Sequence, residues 1–425
     1  MSTLVSGRAF VVPWIGTVAL ACAPALAWAQ SYSYRQVPGN GRGLFELRLG
    51  GTYVAPSGGS AGAGLLVGAV TSGPTSGTTS LIAGVLDLNK LFDPVQPLPG
   101  FTTVVPTGSV FSLGGGCLRG GQTDFPYING NRPAIVRYGG AGFIVVVPTL
   151  TGISPTNQYD SADCAVDRNA TRTVYAFSNR SLNRVELWQD GAGGFQPLQL
   201  TQLAGVATPF GGGLRPALDI DVATQQVSVL YQELGGRTVL NSVNPLTGTV
   251  GGACEVFTAP APTGFTRPRE TTTFSFSGGA RFAVGDFDNN GTTEIVRVSP
   301  GCVRQSFPAG SSAGGNGFNW TGYGHAPDPT LNKENVLWGD YYTLDDNTNF
   351  VPQLATGPFP GRGGPFASCD VRTADGDQDV ITATVGVPSV FAEVGLGKAE
   401  NDRISILGNE DREFVKSCLR SSLSF

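Results

Sequence analysis

NRVELWQDGAGGF, residues 183 to 195, runs from a polar start through an alternating strand into a polar turn and a closing Phe195. The same order of features returns without a gap in DRISILGNEDREF, residues 402 to 414. Two copies of one hairpin so far apart mark a chain built by internal repetition. A second recurring unit is a polar loop that turns at once into a strand. It occurs as TDFPYINGNRPAIVRY (123 to 138), AVDRNATRTVYAF (165 to 177), DIDVATQQVSVLY (219 to 231), GDFDNNGTTEIVRV (285 to 298) and DVRTADGDQDVITA (370 to 383). Upstream of two of these loops, FSLGGGCLRGGQTDF (111 to 125) matches FSFSGGARFAVGDF (274 to 287) with one residue gapped.

Around these units no helical period is sustained. Apolar residues fall in short alternating or β-branched runs, such as GLFELRLGGTYV, AIVRYGGAGFIVVV, QVSVLY and RISIL, bounded by Gly, Pro, Asn and Asp. That pattern specifies an all-β chain. A large sandwich, a barrel and a propeller all belong to this class, and the repetition favours a β-propeller of about six or seven four-stranded blades. The strands after the five loops begin near Ile135, Val174, Val227, Ile295 and Val380, at intervals of 39, 53, 68 and 85 residues. This reads as a blade length increasingly extended by insertions. The aromatic-rich segment 310 to 351 is expected to be one such insertion in a propeller spanning 111 to 425. Residues 30 to 110 are rich in Gly, Ser and Thr and read as one or two degenerate blades or an N-terminal extension.

The chain opens with an early cation, Arg8, an apolar run from Phe10 to about Ala27, and small residues at Ala27 and Ala29. This is the layout of a secretory signal peptide over residues 1 to 29, and Pro13 and Pro24 argue against an uncleaved anchor. The 396 residues that remain (425 less 29) hold no further apolar run long enough to cross a bilayer as a helix. An exported protein, secreted or periplasmic, is expected. With 61 Gly, 29 Pro and 14% charged residues the chain is loop-rich, yet 40% hydrophobic residues support a large core. A formal charge of −5 argues against nucleic acid or anionic lipid as the main partner. Cys22 leaves with the signal, and six cysteines remain: Cys117, Cys164, Cys254, Cys302, Cys369 and Cys418. An even number in an oxidising compartment points to disulfides. Pairing in sequence order gives spacings of 47, 48 and 49 residues, one of many connectivities open to six cysteines.

GDFDNNGTTEIVRV carries the chemistry. Asp286, Asp288, Asn290 and Glu294 stand at positions 1, 3, 5 and 9, with Gly291 at 6 and the carbonyl of Thr292 at 7. A hard cation such as Ca²⁺ needs a shell of oxygens, and a tightly curved loop turns every second side chain to one centre. An EF-hand is ruled out because no helix precedes the loop and Arg297 occupies position 12. GDFDNNGTTEIV itself, the DGDQDVI of 375 to 381 and the hairpin NRVELWQDGAGGF resemble the FG-GAP or VCBS repeat family of calcium-loop blades. The resemblance implies a calcium-stabilised β-propeller over about 120 to 425. Carried over residue by residue, it makes Asp370, Asp375, Asp377 and Asp379 a second, weaker set, with one residue too many between Asp370 and Asp379. The loops at Asp167 and Asn169 and at Asp219 and Asp221 lack the outer ligands and read as metal-free turns.

Within 310 to 351, Trp320, Tyr323, Trp338, Tyr341 and Tyr342 are candidates for an amphipathic surface that takes a protein or glycan ligand. Their alternative is packing of a long loop. Enzyme chemistry has little to rest on. His325 is the only histidine, and GGSAG at 58 to 62 matches a nucleophile motif without its strand-to-helix context. Adjacent Asp345 and Asp346 point to opposite faces of a strand. A non-enzymatic role in adhesion or recognition is therefore expected. A polysaccharide hydrolase is the first alternative, and an outer-membrane β-barrel, prompted by the terminal LRSSLSF, is the second.

Overall fold

The computed structural model describes strand backbones between residues 33 and 396, and side chains chiefly over 102 to 307 apart from short connecting segments. Apart from one 3₁₀ turn at Pro209–Gly211, every described element is a β-strand. The described strands form seven antiparallel sheets, six of four strands and one of five. In chain order these occupy residues 44–108, 110–146, 159–204, 217–258, 271–307, 324–354 and 366–396. The last holds only three strands from its own stretch of chain. Its fourth is Ser33–Val37, which pairs antiparallel with Ala392–Leu396.

Apart from Ser33–Val37, the strands of each sheet are consecutive in the chain and pair antiparallel. Between Gln122–Asn129 and Arg132–Tyr138, Gly130 (φ 55°) and Asn131 (φ 68°) both take the left-handed conformation. Two central residues of positive φ match the right-handed twist of the strands they join.

Side-chain alternation explains how the sheets stack. In Thr173–Asn179, Val174 and Ala176 enter a core shared with Leu218, Ile220 and Val229 of the 217–258 sheet. Tyr175 and Phe177 of the same strand enter a different core, with Ile128 and Ile135 of the 110–146 sheet. The same sharing recurs between 44–108 and 110–146 and between 217–258 and 271–307. Burial on both faces leaves every position of Tyr159–Val166 and Thr173–Asn179 buried, polar residues included. First strands meet as well: Tyr159–Val166 lies against Ala217–Ile220, and the latter against Thr271–Ser275.

The five loop-and-strand units, alike in sequence, are two kinds of connection. The loops at 123–138 and 285–298 join second and third strands of their sheets, whereas those at 165–177, 219–231 and 370–383 join first and second. Successive hairpins of an antiparallel sheet project from opposite ends, so these loops are not equivalent. The uneven intervals become regular on the same count: 39, 53, 68 and 85 residues span three, four, five and seven strand steps, about 12 to 14 residues each. The longest interval contains a complete sheet, Gly324–Asp328, Lys333–Trp338, Asp340–Asp345 and Gln353–Leu354, whose first three strands fall in the stretch 310 to 351 expected to be an insertion.

Disulfides join Cys117 to Cys164 and Cys254 to Cys302, each linking two successive sheets. Cys369 ends the strand Phe366–Cys369, and Cys418 lies outside the described residues, as do the signal segment, the hairpin at 402–414 and the terminal LRSSLSF. Among the described residues no helix is long and apolar enough to cross a membrane.

Candidate metal site

Strand Arg281–Gly285 delivers the chain into the acidic loop and Glu294–Ser299 takes it out, with Gly285 paired to Glu294 across the hairpin. The alternation in Asp286-Phe287-Asp288 has a packing cause. Phe287 is fully buried, in the core with Leu214, Leu230 and Val296, and meets Phe257 with ring centroids 5.8 Å apart. Anchoring the ring inward turns the flanking aspartates to one side. Asn289 takes a left-handed φ of 64°, which asparagine tolerates better than most residues, and this tightens the bend.

The bend closes on its own hydrogen bonds. The Asn290 N–H donates to Asp286 Oδ1 at 3.0 Å and to Asp288 Oδ1 at 3.1 Å, and the Asn290 side-chain amide donates to Asp288 Oδ2 at 2.9 Å. The Phe287 N–H donates to Glu294 Oε2. Oxygen atoms of Asp286, Asp288 and Glu294 thereby come within 4.8 Å of one another. Ligands on opposite sides of a Ca²⁺ ion, each at about 2.3–2.6 Å, stand about 4.6–5.2 Å apart, so the cluster has the dimensions of one such ion. The donors are all oxygen, the hard set this cation prefers. Burial pushes the Glu294 carboxyl up to about 8, the Phe287 N–H lowers it, and the Asp288 and Asp286 charges raise it further.

Arg269, which no sequence motif marks, stands behind this loop. Its guanidinium donates to the carbonyls of Asp286 (3.2 Å) and Phe287 (3.0 Å), to the Gly212 carbonyl (2.6 Å) and to the Gln232 side-chain oxygen. Nothing in the local sequence announces it, because backbone carbonyls recognise an arginine without any pattern of their own.

The connection at 205–216 is the loop's neighbour on this side. Gly212 has φ 86°, and a Cβ there would meet the Gly264 carbonyl oxygen at 2.2 Å, so only glycine fits. Half-exposed Phe210 lies under the Arg180 guanidinium, 4.9 Å from the ring centroid, and meets Phe111 edge-on. Its N–H donates to Asp160 Oδ2 at 2.9 Å. Burial raises the Asp160 carboxyl to about 6, against the opposing effects of that N–H, the Thr208 hydroxyl, Arg180 and Arg215. A carboxyl whose folded pKa exceeds its unfolded value binds a proton on folding. Its contribution is therefore fully present below about 3.8 and is lost as pH rises through about 6. Asp160→Asn is expected to flatten this part of the stability–pH curve. Denaturant midpoints measured from pH 4 to 7 in both proteins check it, and parallel curves would refute the assignment.

The other candidates are placed less fully. Asp379 begins the strand Asp379–Ala383, while Asp370, Asp375, Asp377 and Thr292 lie outside the described residues. Trp338 ends Lys333–Trp338, Tyr341 and Tyr342 lie on Asp340–Asp345, and Trp320 and Tyr323 are outside.

No family model and no curated protein matches this chain, the calcium-loop repeat family included. Solved structures similar to it include Trypanosoma rangeli sialidase (TM-score 0.44, 7% identity, covering 86% of this chain and 59% of that one). Two others are SapL1 lectin in complex with alpha methyl fucoside (0.40, 11%, 75% and 98%) and AofleA from Arthrobotrys oligospora (0.41, 12%, 87% and 92%). The chain thus spans about 59% of the sialidase's length.

Proposed function

We propose that this chain is an exported seven-bladed β-propeller in which Ca²⁺, held by Asp286, Asp288, Asn290, the Thr292 carbonyl and Glu294, fixes a blade hairpin. Its work is recognition, in adhesion or a related role, of a protein or glycan ligand. The observation that carries the proposal is the gathering of three carboxylates, one of them buried, to within 4.8 Å at the tip of a strand hairpin. An ion offsets the burial, and the repulsion from Asp288 and Asp286, that otherwise drive Glu294 toward its neutral form. Rotation of the Asn290 amide exchanges its nitrogen for a fourth side-chain oxygen.

The blade reading is supported by seven sheets, by cores shared between successive members, and by Ser33–Val37 completing the sheet at 366–396. A ring closed by a strand from the other end of the chain leaves no sheet short of a strand. Two disulfides favour an oxidising compartment. Ligand contacts are assigned to the aromatic stretch with Trp320, Tyr323, Trp338, Tyr341 and Tyr342, which belongs in part to the sheet at 324–354.

Thermal and denaturant unfolding of the exported chain in millimolar Ca²⁺ and in EDTA tests the ion. At a hundred times its dissociation constant it is expected to stabilise the wild type by about 2.7 kcal/mol, and Asp286→Ala to abolish that gain. Equal stability of the wild type in both buffers, or an undiminished gain in the variant, overturns the proposal.

A further inference from the structure

We infer that Arg269, with Gln232, couples the cation loop to two neighbouring turns, so that occupation of the loop sets the order of the surface carrying Phe210 and Leu234. This rests on the calcium reading above. The guanidinium reaches three segments that are far apart in sequence. It donates to the Asp286 and Phe287 carbonyls of the loop, to Gly212 O at the end of the 3₁₀ turn that displays Phe210, and to Gln232 Oε1. The Gln232 amide nitrogen in turn donates to Phe287 O at 3.2 Å and to Gly236 O at 3.1 Å, across the turn that displays half-exposed Leu234. Arg269 is itself held: its backbone bridges Leu214, and its carbonyl accepts from the Arg215 N–H at 3.0 Å.

Two features make this arrangement a coupler rather than simple packing. First, the guanidinium takes the backbone carbonyls of Asp286 and Phe287, the peptide groups that carry the first ligand and the core anchor of the loop. A fixed guanidinium therefore holds the main chain of the acidic loop. Second, Arg269 and Gln232 are both buried, 4% and 1% exposed, so their hydrogen bonds are protected from exchange with water. When the ion fixes the carboxylates, the peptide groups of Asp286 and Phe287 are fixed with them. Their carbonyls then become rigid acceptors for Arg269 and Gln232. The free energy that orders the loop is shared with the 209–213 and 233–236 turns, which is the physical content of coupling between sites.

Hydrogen–deuterium exchange of the exported chain, with millimolar Ca²⁺ and with EDTA, tests the coupling. In the wild type, Ca²⁺ is expected to slow exchange about tenfold at 286–294 and at both turns, within the usual range of coupling between sites. In Arg269→Gln the protection at 286–294 is expected to persist and that at 209–213 to be lost, while 233–236, which Gln232 joins directly to the Phe287 carbonyl, keeps most of its own. Protection of 209–213 that survives in the variant, or wild-type protection confined to 286–294, overturns the coupling and leaves the ion reading standing. No Ca²⁺ effect at 286–294 in the wild type overturns the ion reading and the coupling with it. Should Arg269→Gln fail to fold, Gln232→Met removes one arm only. Protection is then expected to vanish at 233–236 and to remain at 209–213, and its retention at both refutes the proposal.

Discussion

Arg137→Met is expected to lower the unfolding free energy by about 3–5 kcal/mol, the usual penalty for removing one member of a buried ion pair. Arg137 and Asp124 are direct cross-strand partners in the 110–146 sheet, joined by two hydrogen bonds of 2.7 Å each. The Tyr175 hydroxyl, from the next sheet, donates to Asp124 Oδ2 at 2.7 Å. Asp190, whose side chain is fully buried, accepts from Arg119 at 2.6 Å and from Arg137 at 3.3 Å. Two carboxylates and two guanidiniums thus balance inside the seam between the 110–146 and 159–204 sheets. Burial pushes the Asp190 carboxyl up, against the lowering effect of Arg119 and Arg137, while the bond to Asp124 holds Arg137 above its ordinary range.

Methionine keeps much of the arginine stem's volume, so the loss reports on charge. It leaves Asp124 in the seam with a single neutral donor in place of a bidentate cation. The double variant Arg137→Met/Asp124→Leu is expected to recover most of the loss, because replacing both members of a buried pair by apolar groups is often close to neutral. Denaturant midpoints at constant slope provide the measurement. A single-variant cost under about 1 kcal/mol, or a double variant no better than the single, would show that the seam is held by apolar packing alone.

This seam also marks where sequence reading stops. TDFPYINGNRPAIVRY announced a turn and a strand, and the turn residues Gly130 and Asn131 were legible because positive φ has a residue signature. That Asp124 and Arg137 face each other follows once the two-residue turn sets the register. That Asp190 and Tyr175 complete the cluster depends on which sheets stack, and no local pattern encodes that. The acidic loop was legible for a similar reason: the spacing of Asp286, Asp288 and Glu294 is a local property, and Phe287 between them is the core anchor that alternation demands. Arg269 was invisible because it recognises main-chain carbonyls. The loops themselves were harder. A polar turn before a β-branched strand recurs at every hairpin, so first-to-second and second-to-third connections look alike until strands are counted.

Removing the Cys117–Cys164 bridge by Cys117→Ala/Cys164→Ala is expected to cost about 4 kcal/mol, from the loop of 47 residues that it closes in the unfolded chain. Cys254–Cys302 closes 48 residues, so chain entropy assigns it a similar share. Accessibility separates the two. Cys164 is fully buried and Cys117 is 3% exposed, both in the core with Tyr175 and Trp188, whereas Cys302 is exposed in the turn before Val303–Phe307. Thiol–disulfide exchange needs a thiolate to reach a sulfur, so mild reductant is expected to open Cys254–Cys302 in the folded protein and to spare Cys117–Cys164 until the chain unfolds. Alkylation under native conditions, read by peptide mass spectrometry, distinguishes the bridges, and unfolding of the double alanine variant measures the energy. Equal labelling of all four cysteines would mean that the 110–146 and 159–204 sheets part readily. A cost under about 1 kcal/mol would mean that the buried ion cluster and the aromatic core already restrain the unfolded chain as strongly as the covalent link does.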